Sequence, residues 1–448
     1  MEMSIESARQ ASRPKREVVV GMLFVGLLFF ILGFVTWLNG SLVPFLKIVC
    51  NLNNFQALWV TFAFYIAYTV MALPSAALLA RTGYKKGMTL GLGIMGVGAL
   101  LFIPAAQSAR YELFLAALFT LASGMTLMQT AINPYIVHLG AHDSAAMRIS
   151  IMGLFNKGAG VVVPLVFTSL MLADIDSFSH TALEALQPAA RDAARATLSQ
   201  RLVFPYICMG VVLFVIAVFI HFSSLRDIPA QGEHAEAASE PVVGRGGVLR
   251  FPQLVLGALA LFAYVGAEVI AGDTIGLYGH ELEVANFGVL TSYTMMCMVV
   301  GYLIGVVAIP RYLSQQRALS LSAVAGLLLT LGVVTASSTG SGISQVLVGW
   351  AGVPTVPDTV MYLALLGLAN AMVWPAIWPL ALQGLGRHTA HGSALLVMAI
   401  SGGAVLPLVY GYLADFGGSR GAYWMLVPCY ALILWYAAHG HRIRRWRA

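Results

Sequence analysis

Gly124-Met125-Thr126-Leu127-Met128-Gln129-Thr130-Ala131-Ile132-Asn133-Pro134-Tyr135 lies in an apolar run long enough to cross a bilayer, yet it carries four polar side chains. Thr126, Gln129, Thr130 and Asn133 stand at offsets 0, 3, 4 and 7, so a helix aligns them in one stripe. Facing lipid, the stripe would leave hydrogen-bonding groups unsatisfied. It must therefore face other helices or a water-filled cavity. Thr, Gln and Asn also bridge packed membrane helices, so the stripe alone leaves both roles open.

The surrounding chain sets its context. Of 448 residues, 59% are hydrophobic and 10% charged. Soluble domains carry about 25% charged residues. The composition therefore predicts an all-α polytopic membrane protein, with room for about twelve crossings at roughly 20 residues each. The net charge of +6 does not mark a nucleic-acid binder. The positive charges sit between apolar runs and at both termini: Arg9, Arg13, Lys15 and Arg16; Arg81, Lys85 and Lys86; Arg442, Arg444, Arg445 and Arg447. That positive-inside pattern places both ends in the cytoplasm. Cys50, Cys208, Cys297 and Cys429 are scattered, with no metal-site or disulfide spacing, and no cofactor is expected. Arg13 to Arg16 precede an apolar run like the start of a signal peptide. The run extends to about Leu38 without an A-x-A-like cleavage site and reads as a retained first helix.

Apolar runs fall at 20–46, 57–80, 88–107, 112–137, 149–172 and 202–224, then at 252–278, 287–310, 318–338, 358–383, 393–413 and 421–438. These are helices 1 to 12, in two sets of six. The expected organisation is a tail at 1–19, a first bundle at 20–224, a polar cytoplasmic linker at 225–250, a second bundle at 251–438 and a basic tail at 439–448. Between Asp174 and Gln200, Thr181 to Leu186 and Ala189 to Leu198 predict a short amphipathic helix outside the membrane, on the periplasmic side by the even count. The halves also echo one another. Asn133-Pro134 and Gly160-x-x-x-Pro164 in the first correspond to Trp378-Pro379 and Gly403-x-x-x-Pro407 in the second, with prolines 30 and 28 residues apart. Gly and Pro are frequent in membrane helices, but repeated six-helix halves are also the mark of transporters whose halves rock against each other.

Polar residues recur on faces of several runs. Helix 2 has Thr61, Tyr65, Tyr68 and Thr69 at offsets 0, 4, 7 and 8; helix 10 has Asn370, Trp374 and Trp378 at 0, 4 and 8. Helix 1 adds Thr36 and Asn39 with Trp37 beside them. Aromatic faces that stack on C–H groups, beside amides that bond hydroxyls, suit a sugar. A lone Trp is as readily an interfacial residue, and Trp378 fits that alternative. Three charged residues lie inside spans: Lys157 in helix 5, and Glu268 and Asp273 in helix 7. Lys157 lies about 12 Å past the start of its run and Glu268 about 24 Å past its own, so no direct ion pair between them is expected. A carboxyl held out of water can take up and release a proton near neutral pH. Glu268 is the first candidate for that role, against a purely structural hydrogen bond, and Asp273 the second.

Other motifs carry no chemistry. Gly91-x-Gly93-x-x-Gly96 matches a dinucleotide fingerprint but has no preceding strand, and reads as helix packing. His138 and His142 lack a carboxylate motif of the H-E-x-x-H kind. Neither a nucleophile elbow nor a phosphate loop is present, so an enzyme is not expected.

Three segments carry a resemblance: Phe29 to Asn39 (FFILGFVTWLN), Leu127 to Tyr135 (LMQTAINPY) and Tyr264 to Glu268 (YVGAE). With them the chain resembles the fucose–galactose–glucose:proton symporter family, a branch of the major facilitator superfamily. The resemblance implies two six-helix bundles around a canyon open alternately to each side, and proton-driven sugar uptake across a bacterial inner membrane. Fucose-type members have an acidic residue after the helix 1 Asn, where this chain has Gly40, and a Glu in helix 4, where it has Gln129. Suspicion for coupling therefore moves to Glu268 and Asp273, with proton or sodium as the ion. Thr36 to Gly40, Asn156-Lys157-Gly158 and Glu268 to Asp273 look closest to the N-acetylglucosamine permease branch. The implied substrate is N-acetylglucosamine, with glucose, galactose, mannose or fucose, or facilitated diffusion, as alternatives. The expected sugar contacts are Asn39, Tyr65, Gln129, Asn133, Asn156, Asn370 and Trp374, with a monomer in the bilayer. A sugar sensor would need a larger output domain than Arg442 to Ala448, and a channel a continuous polar lining.

Overall fold

A hydrocarbon solvent leaves each spanning backbone to satisfy its own hydrogen bonds, so every long apolar run is expected as a helix. The computed structural model describes residues 15–138, 145–171, 187–223, 248–385 and 388–446. Among them, twelve helical spans are long and apolar enough to cross a bilayer: Gly21–Cys50, Asn54–Thr82, Tyr84–Ser108, Tyr111–Asn133, Ile151–Met171, Pro188–Phe222, Pro252–Glu281, Phe287–Ile309, Gln315–Thr335, Asp358–Leu382, Gly392–Gly417 and Ser419–Arg442. They match helices 1 to 12 in order. Residues 1–14, most of the expected linker and His142 lie outside the described residues.

The spans pack as two six-helix bundles. In the first, helix 4 lies on helices 2 and 3, helix 6 on helix 3, and helix 1 on helix 5; in the second, helix 10 lies on helices 8 and 9, helix 12 on helix 9, and helix 7 on helices 10, 11 and 12. Glycines set the closest approaches. A Cβ on Gly33 would lie 2.1 Å from the Asn156 carbonyl oxygen, and one on Gly402 would lie 1.9 Å from that of Phe262. Such small-residue contacts let backbones meet where no hydrophobic force drives association. Gly91 belongs to the same class: its Cβ would meet the Gly124 carbonyl at 2.8 Å, which gives the glycine-rich motif a packing role. On helix 6, Val211, Val215, Phe219 and Phe222 are exposed while Leu213, Ala217 and Ile220 are buried, the pattern of a helix with one face to lipid.

Several spans are interrupted, among them helices 1, 10 and 11. Helix 1 turns at Leu38, between Lys15–Trp37 and Asn39–Cys50; helix 10 breaks between Asp358–Asn370 and Val373–Leu382; helix 11 passes through a tighter turn at Ala399–Ser401. Asn39 and Asn370 therefore both border a break. The amphipathic segment forms the helix Pro188–Gln200, as far as it is described, and runs through Arg201–Leu202 into helix 6. With twelve spans, the described ends Lys15 and Trp446 share one face, called here the terminal face; the other is the distal face.

Candidate functional site

Helix 7 is the axis of the site. From Ala263 to Gly279 all its residues are buried, contacted by helices of both bundles. Glu268 Oε1 lies 2.6 Å from Lys157 Nζ, and the two residues are 7% and 8% exposed. This overturns the expectation that they would not pair. Helix 5 begins at Ala145 rather than residue 149. Lys157 is thus roughly 18 Å along its helix, within a lysine's reach of Glu268 at roughly 24 Å along helix 7. The ammonium also sits 4.3 Å from the centre of the Trp37 ring, whose Nε1 donates to Asn156 Oδ1 at 3.3 Å. Asn156, Lys157 and Glu268 thus come together around Trp37, whose role the sequence reading left open.

Five residues further along helix 7, Asp273 is 0% exposed. Its Oδ2 accepts a 3.0 Å hydrogen bond from Thr61 Oγ1 of the other bundle, and its Oδ1 has no partner. Tyr65, one turn along helix 2 from Thr61, is buried against Gly403 and stacks on Tyr68 with ring centres 6.2 Å apart. Asn39 is 1% exposed, with its amide nitrogen unpartnered. Beside it, a Cβ on Gly40 would meet Thr291 Oγ1 at 2.3 Å and the Gly272 carbonyl at 2.8 Å. An acidic side chain at position 40 has no room here.

Other expected contacts lie on helices 10 and 4. Asn370 is fully buried and its Oδ1 accepts from Tyr430 OH at 2.9 Å, which ties helix 10 to helix 12; its Nδ2 has no partner. Trp374 is half-buried in an aromatic row, 6.4 Å from Tyr264 and 5.5 Å from Trp378 between ring centres. Along the helix 4 stripe, Thr126 and Thr130 donate to their own backbone at Ala122 and Thr126. Gln129 is half-buried and Asn133 exposed. Among the described residues, neither amide bonds another helix.

At the distal face the bundles are clasped by groups the sequence reading did not single out. Asp415 accepts from the backbone N–H of Asn54 and Phe55, each at 3.0 Å. Glu281 Oε1 accepts from Asn54 Nδ2 at 3.1 Å and Ser419 Oγ at 2.7 Å, and lies 3.7 Å from Lys47 Nζ. The signal available was charge complementarity: a cation at the outer end of helix 1 against anions at the outer ends of helices 7 and 11. Polar links between the bundles, including Ser41 to the Gly288 carbonyl and Ser292 to that of Val161, sit at mid-depth or toward this face.

Two six-helix bundles, a polar cluster between them at mid-depth and a clasp at one face define the architecture of a two-bundle membrane transporter. The chain belongs to the Major Facilitator Superfamily, whose model matches residues 25–406. It is 35% identical over 422 residues to the glucose/galactose transporter of Brucella abortus, covering 93% of each chain. It is 26% identical to the L-fucose-proton symporter of Escherichia coli (strain K12), covering 94% of this chain and 93% of that one. Among solved structures, that symporter in its outward conformation matches with a TM-score of 0.69 at 25% identity, covering 94% of this chain and 99% of its own. A bacterial homologue of the human lysosomal transporter Spinster, inward-facing, matches in fold with a TM-score of 0.62 at 13% identity.

Proposed function

We propose that this protein is a proton-coupled transporter that brings a neutral hexose, of the glucose or galactose kind, across a bacterial inner membrane by alternating access. The observation that carries this reading is the 35% identity, along 93% of both chains, to a glucose/galactose transporter. The relatives named above are described by glucose, galactose and L-fucose. They favour the hexose alternative over N-acetylglucosamine. An uncharged lining supports the same substrate class, since amides bond sugar hydroxyls as donor and acceptor while aromatic faces cover C–H surfaces.

In this reading Gln129, Asn133 and Trp374 meet the sugar from opposite bundles, with Asn39, Tyr65, Asn156 and Asn370 completing the cavity as the bundles move. One of the helix 7 carboxylates, Glu268 or Asp273, carries the proton. With both termini cytoplasmic, the clasped distal face is periplasmic and the exposed Asn133 looks toward the cytoplasm. Coupling requires that sugar and proton together favour the closed, rocking state more than either does alone.

The test is uptake of radiolabelled glucose by proteoliposomes of the purified protein under an inward proton gradient, an inward sodium gradient, or none, with galactose and N-acetylglucosamine as competitors. Proton-stimulated uptake inhibited by galactose is the expected result. Stimulation by sodium alone would replace the ion, and uptake blocked only by N-acetylglucosamine would replace the sugar.

A further inference from the structure

The two helix 7 carboxylates lie five residues apart, about 7.5 Å in depth, and differ in their surroundings. Glu268 has a cation. Lys157 bonds it directly and is itself held against the face of Trp37. Adding a proton to Glu268, which Tyr264 and Tyr302 also face, would leave the buried ammonium without its counter-charge, so this pair behaves as a charge-balanced strut between helices 5 and 7. Asp273 has no such partner. Helix 2 presents it with the Thr61 hydroxyl and the Tyr65 phenol, and its own helix with Glu268, which carries the same sign. At the preceding residue, Gly272, helix 8 presents Thr291 and helix 1 presents Gly40, both uncharged. Tyr423, which hydrogen-bonds the adjacent Thr274, and Tyr410 beside it are neutral phenols.

We propose that Asp273 is the group that binds the coupling proton, and that Thr61 of the opposite bundle holds its carboxyl when the distal face closes. The assignment rests on the proton-coupled reading above and chooses between its two carboxylates. An ionised Asp273 in the clasped form would be a full charge with no exposure, one hydroxyl partner and one empty oxygen. That arrangement is strongly unfavourable. A protonated Asp273 is neutral and keeps the Thr61 bond, because a hydroxyl accepts as well as donates. Closing the distal face therefore requires the proton. Opening it withdraws helix 2 from helix 7, admits water to the carboxyl and lets it ionise. The proton is taken from distal-side water and sealed in by closure. Thr61 is a positioning residue in this scheme, since it acts only through Asp273.

The experiment follows the distal gap without any sugar. In a chain with Cys50, Cys208, Cys297 and Cys429 replaced by Ser, spin labels at Arg110→Cys and Thr339→Cys report the separation of the two bundles on that face. In the parent protein the open-to-closed ratio should rise with pH, by at most about tenfold per unit, the limit for one proton. Asp273→Asn should stay closed and lose the slope, whereas the charge-balanced double variant Lys157→Met with Glu268→Met should keep it. Thr61→Val should keep the slope and raise the open fraction at every pH. A flat parent, a slope surviving in Asp273→Asn, or a slope lost in the double variant would overturn the assignment. Should Asp273→Asn fail to fold, Asp273→Glu serves in its place: it retains a carboxyl and must retain a slope. Proteoliposome exchange separates this from the substrate question. A wrong sugar silences transport in every variant but leaves the pH slope in place, whereas a wrong proton site leaves gradient-driven accumulation intact in Asp273→Asn.

Discussion

Helices 4 and 7 each carry polar groups at mid-membrane, and each reads in the sequence as an anomaly within an apolar run. Their surroundings are opposite. On helix 4 the two threonines turn back on their own backbone, Gln129 is half-buried and Asn133 is exposed. On helix 7 Glu268 and Asp273 are buried and bonded to residues of the other bundle. One helix thus leaves its amides without a bond to another described helix, whereas the other ties the molecule across its midline. Polarity at a given depth does not tell a wet wall from a dry strut. What distinguishes them is whether the polar atoms have partners.

The largest effects should come from breaking the strut. Lys157→Met or Glu268→Met alone leaves a buried charge uncompensated and should destabilise the folded protein by about 3–5 kcal/mol. The double variant should recover most of that loss, as read by thermal unfolding in detergent. Equal losses in the single and double variants would show that the pair is no strut. Next comes the distal clasp. Asp415→Asn weakens two bonds from backbone N–H to a charged acceptor, each worth about 1.5–3 kcal/mol, and should shift the protein toward the distal-open form in the same label-distance measurement. Gln129→Ala and Asn133→Ala should each weaken sugar binding about tenfold, close to 1.4 kcal/mol, while unfolding temperature stays near that of the parent. A large stability loss with unchanged affinity would move the stripe from wall to strut. The smallest effect is expected for Thr126→Val. Its hydroxyl serves only a carbonyl of its own helix, so both stability and affinity should change by less than about 0.5 kcal/mol.

The spans were legible because the bilayer permits so few solutions. Twelve apolar runs became twelve spans in the expected order. The pairing of Lys157 with Glu268 was not legible, for a local reason. Arg148 marked the edge of an apolar run, yet it is buried, with its Nε donating to the Ile136 carbonyl of helix 4, so helix 5 starts a turn earlier than its hydropathy. One turn is enough to bring a lysine level with a glutamate. The clasp was hidden differently. Lys47, Glu281 and Asp415 sit at helix ends, where charges are ordinary, and only their opposition across the two bundles gives them meaning. Asn370 shows the converse, for it lay on a persuasive face but spends its oxygen on Tyr430 within its own bundle.

Asp415 grips main-chain amides rather than side chains. Its grip is therefore indifferent to what residues 54 and 55 are, short of proline, while its own identity is fixed by the need for two acceptor oxygens. The latch is lopsided in heredity: at position 55 most side chains would serve, whereas Asn54 is held by its own bond to Glu281 and position 415 admits little but an acid.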